Sequence, residues 1–457
     1  MKSRKYRYMT NTINRNYSQW LWSLVLAFVV ISSCTPTKKV TSTGNEDIKK
    51  QVETPKKSIV ITEKVDTVKW TNNSQSNPPI KIGEKNAASS STARNIALII
   101  PFNTEEDKIN PSGNLRFLQY YSGVKLAGRK LETEGIKLNI DVFDSDNSSF
   151  LNQLSKKYEA IIGPYASANA ETSKANLQTV INFGKDNKIP VVSPWYSNSK
   201  ITENNPYYMQ LKPSIKEHLV KMVEHVSSNF KPSEVVIVGR NLDIDGKWFD
   251  YLQELASAFN PSQGKLPYTE KKVEETDLSG KVAVFKDLIA QGKKVFIFPN
   301  YSFSDEKYLS SVLTKLMQEK VGKDIIVYGM PVILDSDKIG FQFYSALQMR
   351  LVVTDFYDKD DLLSMDFTRS FFEMFKTIPG KDAMEGYDTM LFLGRAISKH
   401  GRSFLPNTSI ESGDYLQTSY KIQAVYPEGN DAFKRIDFYE NKHLDIIEFS
   451  GGKFQRI

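Results

Sequence analysis

The chain has 457 residues, 40% of them hydrophobic, with one cysteine and 60 Lys and Arg against 53 Asp and Glu, a formal net charge of +7. That length supplies core for two domains, and a single cysteine excludes an intrachain disulfide, so the fold rests on core burial alone. The charge is uneven: residues 1–92 hold 15 basic against 6 acidic side chains, and the rest hold 45 against 47. A nearly neutral body without zinc-finger spacing or basic aromatic motifs excludes nucleic acid as its partner.

The chain opens with Lys2, Arg4, Lys5, Arg7 and Arg15 and no acid, followed by about twelve mostly apolar residues from Trp20 to Ile31. Such a run is too short to span a bilayer and suits a signal-peptide core. Ile31-Ser32-Ser33-Cys34 resembles the lipobox of bacterial lipoproteins, which implies cleavage before Cys34 and its acylation. Thr35 follows where an Asp often retains lipoproteins at the inner membrane, so an outer-membrane anchor with a periplasmic body is the expectation. Residues 35–92 are rich in Thr, Ser, Asn and Lys with scattered prolines and read as a disordered tether. Its end-to-end distance would average roughly 40–45 Å.

Order begins at Asn95. Ile96-Ala97-Leu98-Ile99-Ile100 is a continuous apolar run, as expected of a strand buried on both faces. Helical spacing from Leu118 to Leu131 follows, then strands at 136–142, 160–162 and 189–192. The rhythm restarts after Pro213, with a helix at 214–230, a strand at 235–238, helices at 248–259 and 282–290, a strand at 295–298, a helix at 306–319 and a strand at 325–328. A strand at 351–355, helices at 361–377 and 384–400, and strands and turns from 435 complete the chain. Strands alternating with helices predict an α/β fold with parallel sheets.

The ordered body resembles the type I periplasmic binding proteins, whose best-known members bind leucine, isoleucine and valine. The landmarks are the opening strand, Ser122-Gly123-Val124-Lys125-Leu126-Ala127, Ile162-Gly163-Pro164-Tyr165-Ala166-Ser167, Ile189-Pro190-Val191-Val192-Ser193-Pro194 and Gly386-Tyr387-Asp388. The resemblance implies two Rossmann-like lobes joined by three hinge crossovers, with ligand held between them. The expected division is a signal peptide at 1–33, lipidated Cys34 and tether at 34–92, a first lobe at 93–212, a second at 213–354, a return to the first at 355–430 and to the second at 431–457.

Ligands of parallel α/β sheets bind beyond the carboxyl ends of the strands. Asn103, Ser167, Trp195, Tyr196 and Ser197 are therefore candidates in the first lobe, and Asp245, Asn300 and Tyr301 in the second. By the resemblance, Ser167 and Ser197 hydrogen-bond a ligand carboxylate and Trp195 offers backbone contacts; the other reading of the two serines is helix capping. Asp245 and Asn300 also suit turns. The second lobe departs from the amino-acid-binding pattern: Asp245-Gly246 stands where a Tyr often precedes the Gly, and Gly329-Met330-Pro331 lacks the acid that pairs with a ligand ammonium.

Nothing in the sequence carries an enzymatic, cofactor or metal motif. His218 and His225 lie two helical turns, about 10.5 Å, apart, too far to share one metal, and read as part of a solvated helix face. Asp144, Asp146, Asp355, Asp358, Asp360 and Asp361 read as loop acids, without the Gly and Glu of a calcium loop. Two functions follow: a lipid-anchored solute-binding protein that captures a small polar ligand for an ABC importer, or an outer-membrane lipoprotein that activates a cell-wall synthase through protein contact.

Overall fold

The computed structural model of the protein describes residues 93–102, 112–146, 148–166, 171–198, 200–264, 267–407, 414–427 and 435–457. The signal peptide, Cys34 and tether read for residues 1–92, and the candidates Asn103 and Ser167, lie outside them.

The first strand, β1 (Arg94–Ile100), shows why a continuous apolar run was needed. Ile96, Leu98 and Ile100 join one core cluster, and Ala97 and Ile99 join another on the opposite face. With period-two alternation, each face of the strand needs its own apolar set. β2 (Leu138–Asp144), β3 (Ala160–Ile162), β4 (Val191–Ser193) and β5 (Tyr208–Gln210) complete a parallel arrangement in the order β2-β1-β3-β4-β5, with Ile96 opposite both Ile140 and Ala160. The second half repeats it: β6 (Val235–Gly239), β7 (Thr269–Lys272), β8 (Val295–Ile297), β9 (Ile326–Gly329) and β10 (Arg350–Val353) lie in the order β7-β6-β8-β9-β10, all parallel.

The remaining strands extend both sheets to seven. β12 (Phe438–Asn441) runs parallel to β5 and pairs on its other side with antiparallel β11 (Ile422–Val425). β13 (Asp445–Ser450) runs antiparallel to β10 and carries β14 (Lys453–Arg456). The chain thus passes between sheets three times, after β5, after β10 and after β12. The last passage follows Asn441, later than the boundary at 430/431 read from the sequence, because Phe438–Asn441 still pairs with the first sheet.

Helices α1 (Ser112–Thr133) and α2 (Glu171–Asn187) belong to the first lobe, and α3 (Ile215–Asn229) and α4 (Asp243–Phe259) to the second. The second lobe continues with α5 (Glu275–Ser279), α6 (Lys286–Ala290), α7 (Glu306–Glu319) and α8 (Phe341–Ala346), after which α9 (Leu362–Phe375) and α10 (Lys381–His400) return to the first. α10 packs on α1 at backbone contact distance: a Cβ on Gly123 would lie 1.9 Å from the Ala383 carbonyl oxygen, and one on Gly386 would lie 2.1 Å from that of Tyr120. Two of the sequence landmarks are therefore the glycines that let these helices touch. At a third, Gly163 has φ +90° and a Cβ there would lie 2.3 Å from the Ile99 carbonyl oxygen; the Gly163-Pro164 peptide is cis.

Two predicted helices differ in the structure. α4 begins at Asp243, so Asp245 and Gly246 are in its first turn rather than in a loop; the acid suits the positive end of the helix dipole. The stretch read as one helix at 282–290 is helical only from Lys286, because the Glu319 carboxylate holds the incoming backbone. It accepts from the amides of Val284 at 2.9 Å, Phe285 at 2.6 Å and Lys286 at 3.0 Å.

Candidate ligand site between the lobes

A cavity of about 390 Å³ opens where the two sheets face the crossovers. Arg116 of α1, Trp195 beyond β4, and Lys381, Asp382 and Glu385 of α10 line it from the first lobe. Pro331, Leu334 and Asp335, beyond β9, line it from the second, and Lys212, Asp355 and Gln417 belong to the connecting segments. Its size is within the range of small-molecule sites, about 300–1,000 Å³.

Trp195 is set by an aromatic cluster. Its ring lies 5.1 Å from Tyr120, 5.8 Å from Tyr165 and 5.9 Å from Phe117, the last two edge-on. Arg116 lies over the Tyr165 ring at 5.3 Å and donates to Asp382 at 3.0 Å, so its guanidinium is fixed at the cavity wall. Lys381 and Asp335 stand apart from these networks: among the described residues neither has an ion-pair partner, and both are exposed. One cation from the first lobe and one anion from the second are thus free in the same cavity.

The deepest charges tie the crossovers together. Lys212, next to the first crossover, bonds Asp355 of the second and pairs with Glu385 of α10 at 2.9 Å. Burial opposes the lysine charge, but the two carboxylates outweigh it and raise its pKa. Burial and the nearby Asp355 raise that of Glu385, with Lys212 opposing. Behind it, the buried Asp388 accepts from the amides of Leu416 at 2.8 Å and Gln417 at 3.0 Å. Burial lifts its carboxyl to about 7 although those amides pull it down. In the third crossover, Lys442 contacts Glu440 and lies 2.6 Å from Glu217, while Glu440 accepts from the Ser214 amide at 2.5 Å.

Three sequence readings are corrected here. His218 is only 7% exposed; its Nδ1 lies 2.9 Å from the Ser214 carbonyl oxygen and its Nε2 lies 3.4 Å from Thr354 Oγ1, so it bridges two crossovers instead of a solvated face. Burial lowers its pKa. His225 is half-buried against the Tyr328 hydroxyl at 2.7 Å. Asp355, read as a loop acid, lines the cavity, whereas Asp358 caps the Asp360 amide and Asp360 pairs with Lys453. Asp144 accepts from the amides of Phe102 at 3.2 Å and Asp146 at 3.0 Å, as a loop acid does.

The sequence candidates divide between places. Trp195 lines the interlobe cavity. Tyr196 does not; its hydroxyl accepts from the Ala166 amide at 2.5 Å and donates to the Ala166 carbonyl, and burial pushes its pKa up to about 12. Ser197 is exposed and outside the cavity lining. Asp245, Asn300 and Tyr301 come together in a separate second-lobe cavity of about 310 Å³. Among the described residues, no group of His, Cys, Asp and Glu is placed to hold a metal, and no helix is long and apolar enough to cross a membrane.

No protein-family model matches the sequence, and no match was found among curated proteins. Solved structures are similar in fold at low identity. A putative branched-chain amino acid ABC transporter protein from Rhodospirillum rubrum is 14% identical over 80% of this chain and 100% of its own, with a TM-score of 0.55. An ABC transporter substrate-binding protein from Desulfitobacterium hafniense in complex with Leu is 13% identical over 80% and 100%, with a TM-score of 0.49. A periplasmic binding protein type 1 from Bordetella pertussis is 14% identical over 80% and 100%, at 0.43. The paired sheets, their shared strand order, the three crossovers and the Rhodospirillum rubrum match together give this chain the two-lobed α/β fold of the type I periplasmic binding proteins.

Proposed function

We propose that this chain is a lipid-anchored periplasmic solute-binding protein, held at the outer membrane through Cys34, that captures a small zwitterionic ligand between its lobes and presents it to an ABC importer. The observation that carries the reading is the interlobe cavity, with Lys381 on one lobe and Asp335 on the other, neither ion-paired among the described residues. A zwitterion such as an amino acid places its carboxylate toward Lys381 and its ammonium toward Asp335. Each lobe gains a contact only when both close on the ligand, so binding favours the closed arrangement. Asp335 also offers an acid in place of the one missing from Gly329-Met330-Pro331. Trp195 forms the apolar wall.

Thermal unfolding of the full chain against amino acids, short peptides and nucleosides tests capture. A ligand at a hundred times its Kd stabilises by about 2.7 kcal/mol, a rise of several degrees that Trp195→Ala or Asp335→Asn reduces. No shift with any of them ends the capture reading. For the anchor, Cys34→Ser releases the protein from the membrane fraction; a variant that stays membrane-bound ends the lipoprotein reading.

A further inference from the structure

The open edges of the two sheets differ in length. β7, β11 and β14 are edge strands of 4 residues each, whereas β2 has 7 and, among the described residues, pairs only with β1. The Arg94 amide donates to the Lys137 carbonyl at 2.9 Å and the Ser145 amide to that of Ile100 at 3.0 Å, which fixes the alternation along β2. Asn139, Asp141 and Phe143 turn their backbone amides and carbonyls toward β1, and Leu138, Ile140 and Val142 turn theirs outward. The long edge therefore presents a row of backbone donors and acceptors to the outside.

A groove of about 480 Å³ lies beside this edge. The half-buried Ile136, Leu138 and Ile140, with Met374 of α9, give it an apolar floor. Gly128 of α1 keeps it open, since a Cβ there would meet nothing within 4 Å. The rim is basic. Lys125 and Arg129, one helical turn apart on α1, and Lys137 at the entry to β2 are all exposed, and none has an ion-pair partner among the described residues. Against these cations stands a single acid, Glu132.

Lysines beside an open edge ordinarily guard it against pairing with another edge. Here the guard is selective. A second copy of the chain would bring the same cations to the same strip, and like charges set opposite one another oppose that pairing. A basic segment is opposed for the same reason. An extended segment with acids at alternate positions meets no such barrier: its backbone reaches the outward groups of Leu138, Ile140 and Val142, and its carboxylates, all on one face, reach Lys125 and Arg129. We propose that the β2 edge is a docking strip for an acidic, extended segment of a partner protein, which joins the first sheet beside β2. Backbone pairing supplies the hold, and the basic rim supplies the choice of partner. The groove shares no lining residue with the interlobe cavity, so docking and capture are measured separately.

The probe is the end-blocked peptide Thr-Glu-Val-Glu-Val-Glu-Thr with a fluorescent label, titrated with the full chain and read by anisotropy. Blocked ends keep it from acting as a zwitterion between the lobes. It should saturate below about 1 mM and bind more weakly as salt rises. The same peptide N-methylated throughout keeps its charge but cannot donate to a sheet edge, and a peptide with Lys for Glu keeps its backbone but reverses the charge; each should bind at least about tenfold more weakly. Lys125→Glu combined with Arg129→Glu should cost about tenfold. Ile140→Pro, which removes one outward amide and leaves the bonds to β1, should weaken binding too, and Asp335→Asn, at the interlobe cavity, should leave it unchanged. Where Ile140→Pro fails to fold, the methylated peptide makes the same test on the unaltered protein. The proposal is overturned if the parent peptide does not saturate, if the methylated or Lys peptide binds as well as the parent, or if the full chain sediments as a dimer that Ile140→Pro separates, which would assign the edge to a second copy.

Discussion

Replacing Lys212 by Met removes the only cation that, among the described residues, directly contacts both Asp355 and Glu385, at the junction of the first two crossovers. The methionine fills similar volume, so the loss is electrostatic. Breaking a buried pair by deleting one partner costs about 3–5 kcal/mol. The Lys212 side chain retains 23% of its exposure, so solvent screens part of this and about 3 kcal/mol is expected. The loss should depend on pH. Burial already raises the Glu385 pKa, and removing Lys212 raises it further above the unfolded value. The folded variant then binds a proton that the unfolded chain does not, and regains stability as pH falls through the folded pKa, by about 1.4 kcal/mol per pH unit until the unfolded pKa is reached. Urea unfolding of wild type and variant at pH 7.5 and pH 5.5 measures both effects. A loss below about 1 kcal/mol at pH 7.5, or one that does not shrink at pH 5.5, would refute a charge-clamped hinge.

Other outcomes follow from single contacts. Gly386→Ala gains helix propensity but forces the new Cβ against the Tyr120 carbonyl, so α10 must lift from α1; calorimetry should show about 3 kcal/mol of destabilisation, the upper end for overpacking. Glu319→Ala leaves the amides of Val284, Phe285 and Lys286 without their acceptor and should cost about 2–3 kcal/mol by denaturant titration, with exchange at those amides accelerated. Asp388 has a folded pKa raised to about 7, so its contribution is present at low pH and lost as pH rises through 7. Between pH 5 and 7 wild type should lose stability relative to Asp388→Asn by roughly 1.4 kcal/mol per unit; a flat difference would contradict the raised pKa.

How much was legible in the sequence depended on what each residue type must satisfy. The buried strands were readable because both faces of β1, β6 and β8 require apolar side chains. β7, with sequence Thr-Glu-Lys-Lys, was missed because it is an edge strand, which needs no apolar pattern and gains from charge. β5 was missed because three residues between turns carry no period. The landmark glycines were visible as text, but their purpose, the contact between α1 and α10, needed the helices in place. Among cavity-lining residues, the rule that ligands sit beyond strand ends flags Trp195 in the interlobe cavity and Asn300 and Tyr301 in the second-lobe cavity and, applied to every strand, flags Arg240 and Asp355 too. Arg116, Lys381, Asp382 and Glu385 lie on helices whose sequence gives no sign of facing a cavity. Asp335 reaches the cavity only after the short turn Pro331–Ile333 redirects the chain, which hides it from any motif at the strand end.

The most direct measurement is a calorimetric titration of the full chain with zwitterionic amino acids, repeated in Lys381→Ala. Capture between the lobes predicts that at least one saturates with one-to-one stoichiometry and that the variant binds it about tenfold more weakly, the loss of about 1.4 kcal/mol of charge contact. No saturation by any amino acid, or binding that Lys381→Ala leaves unchanged, would contradict it.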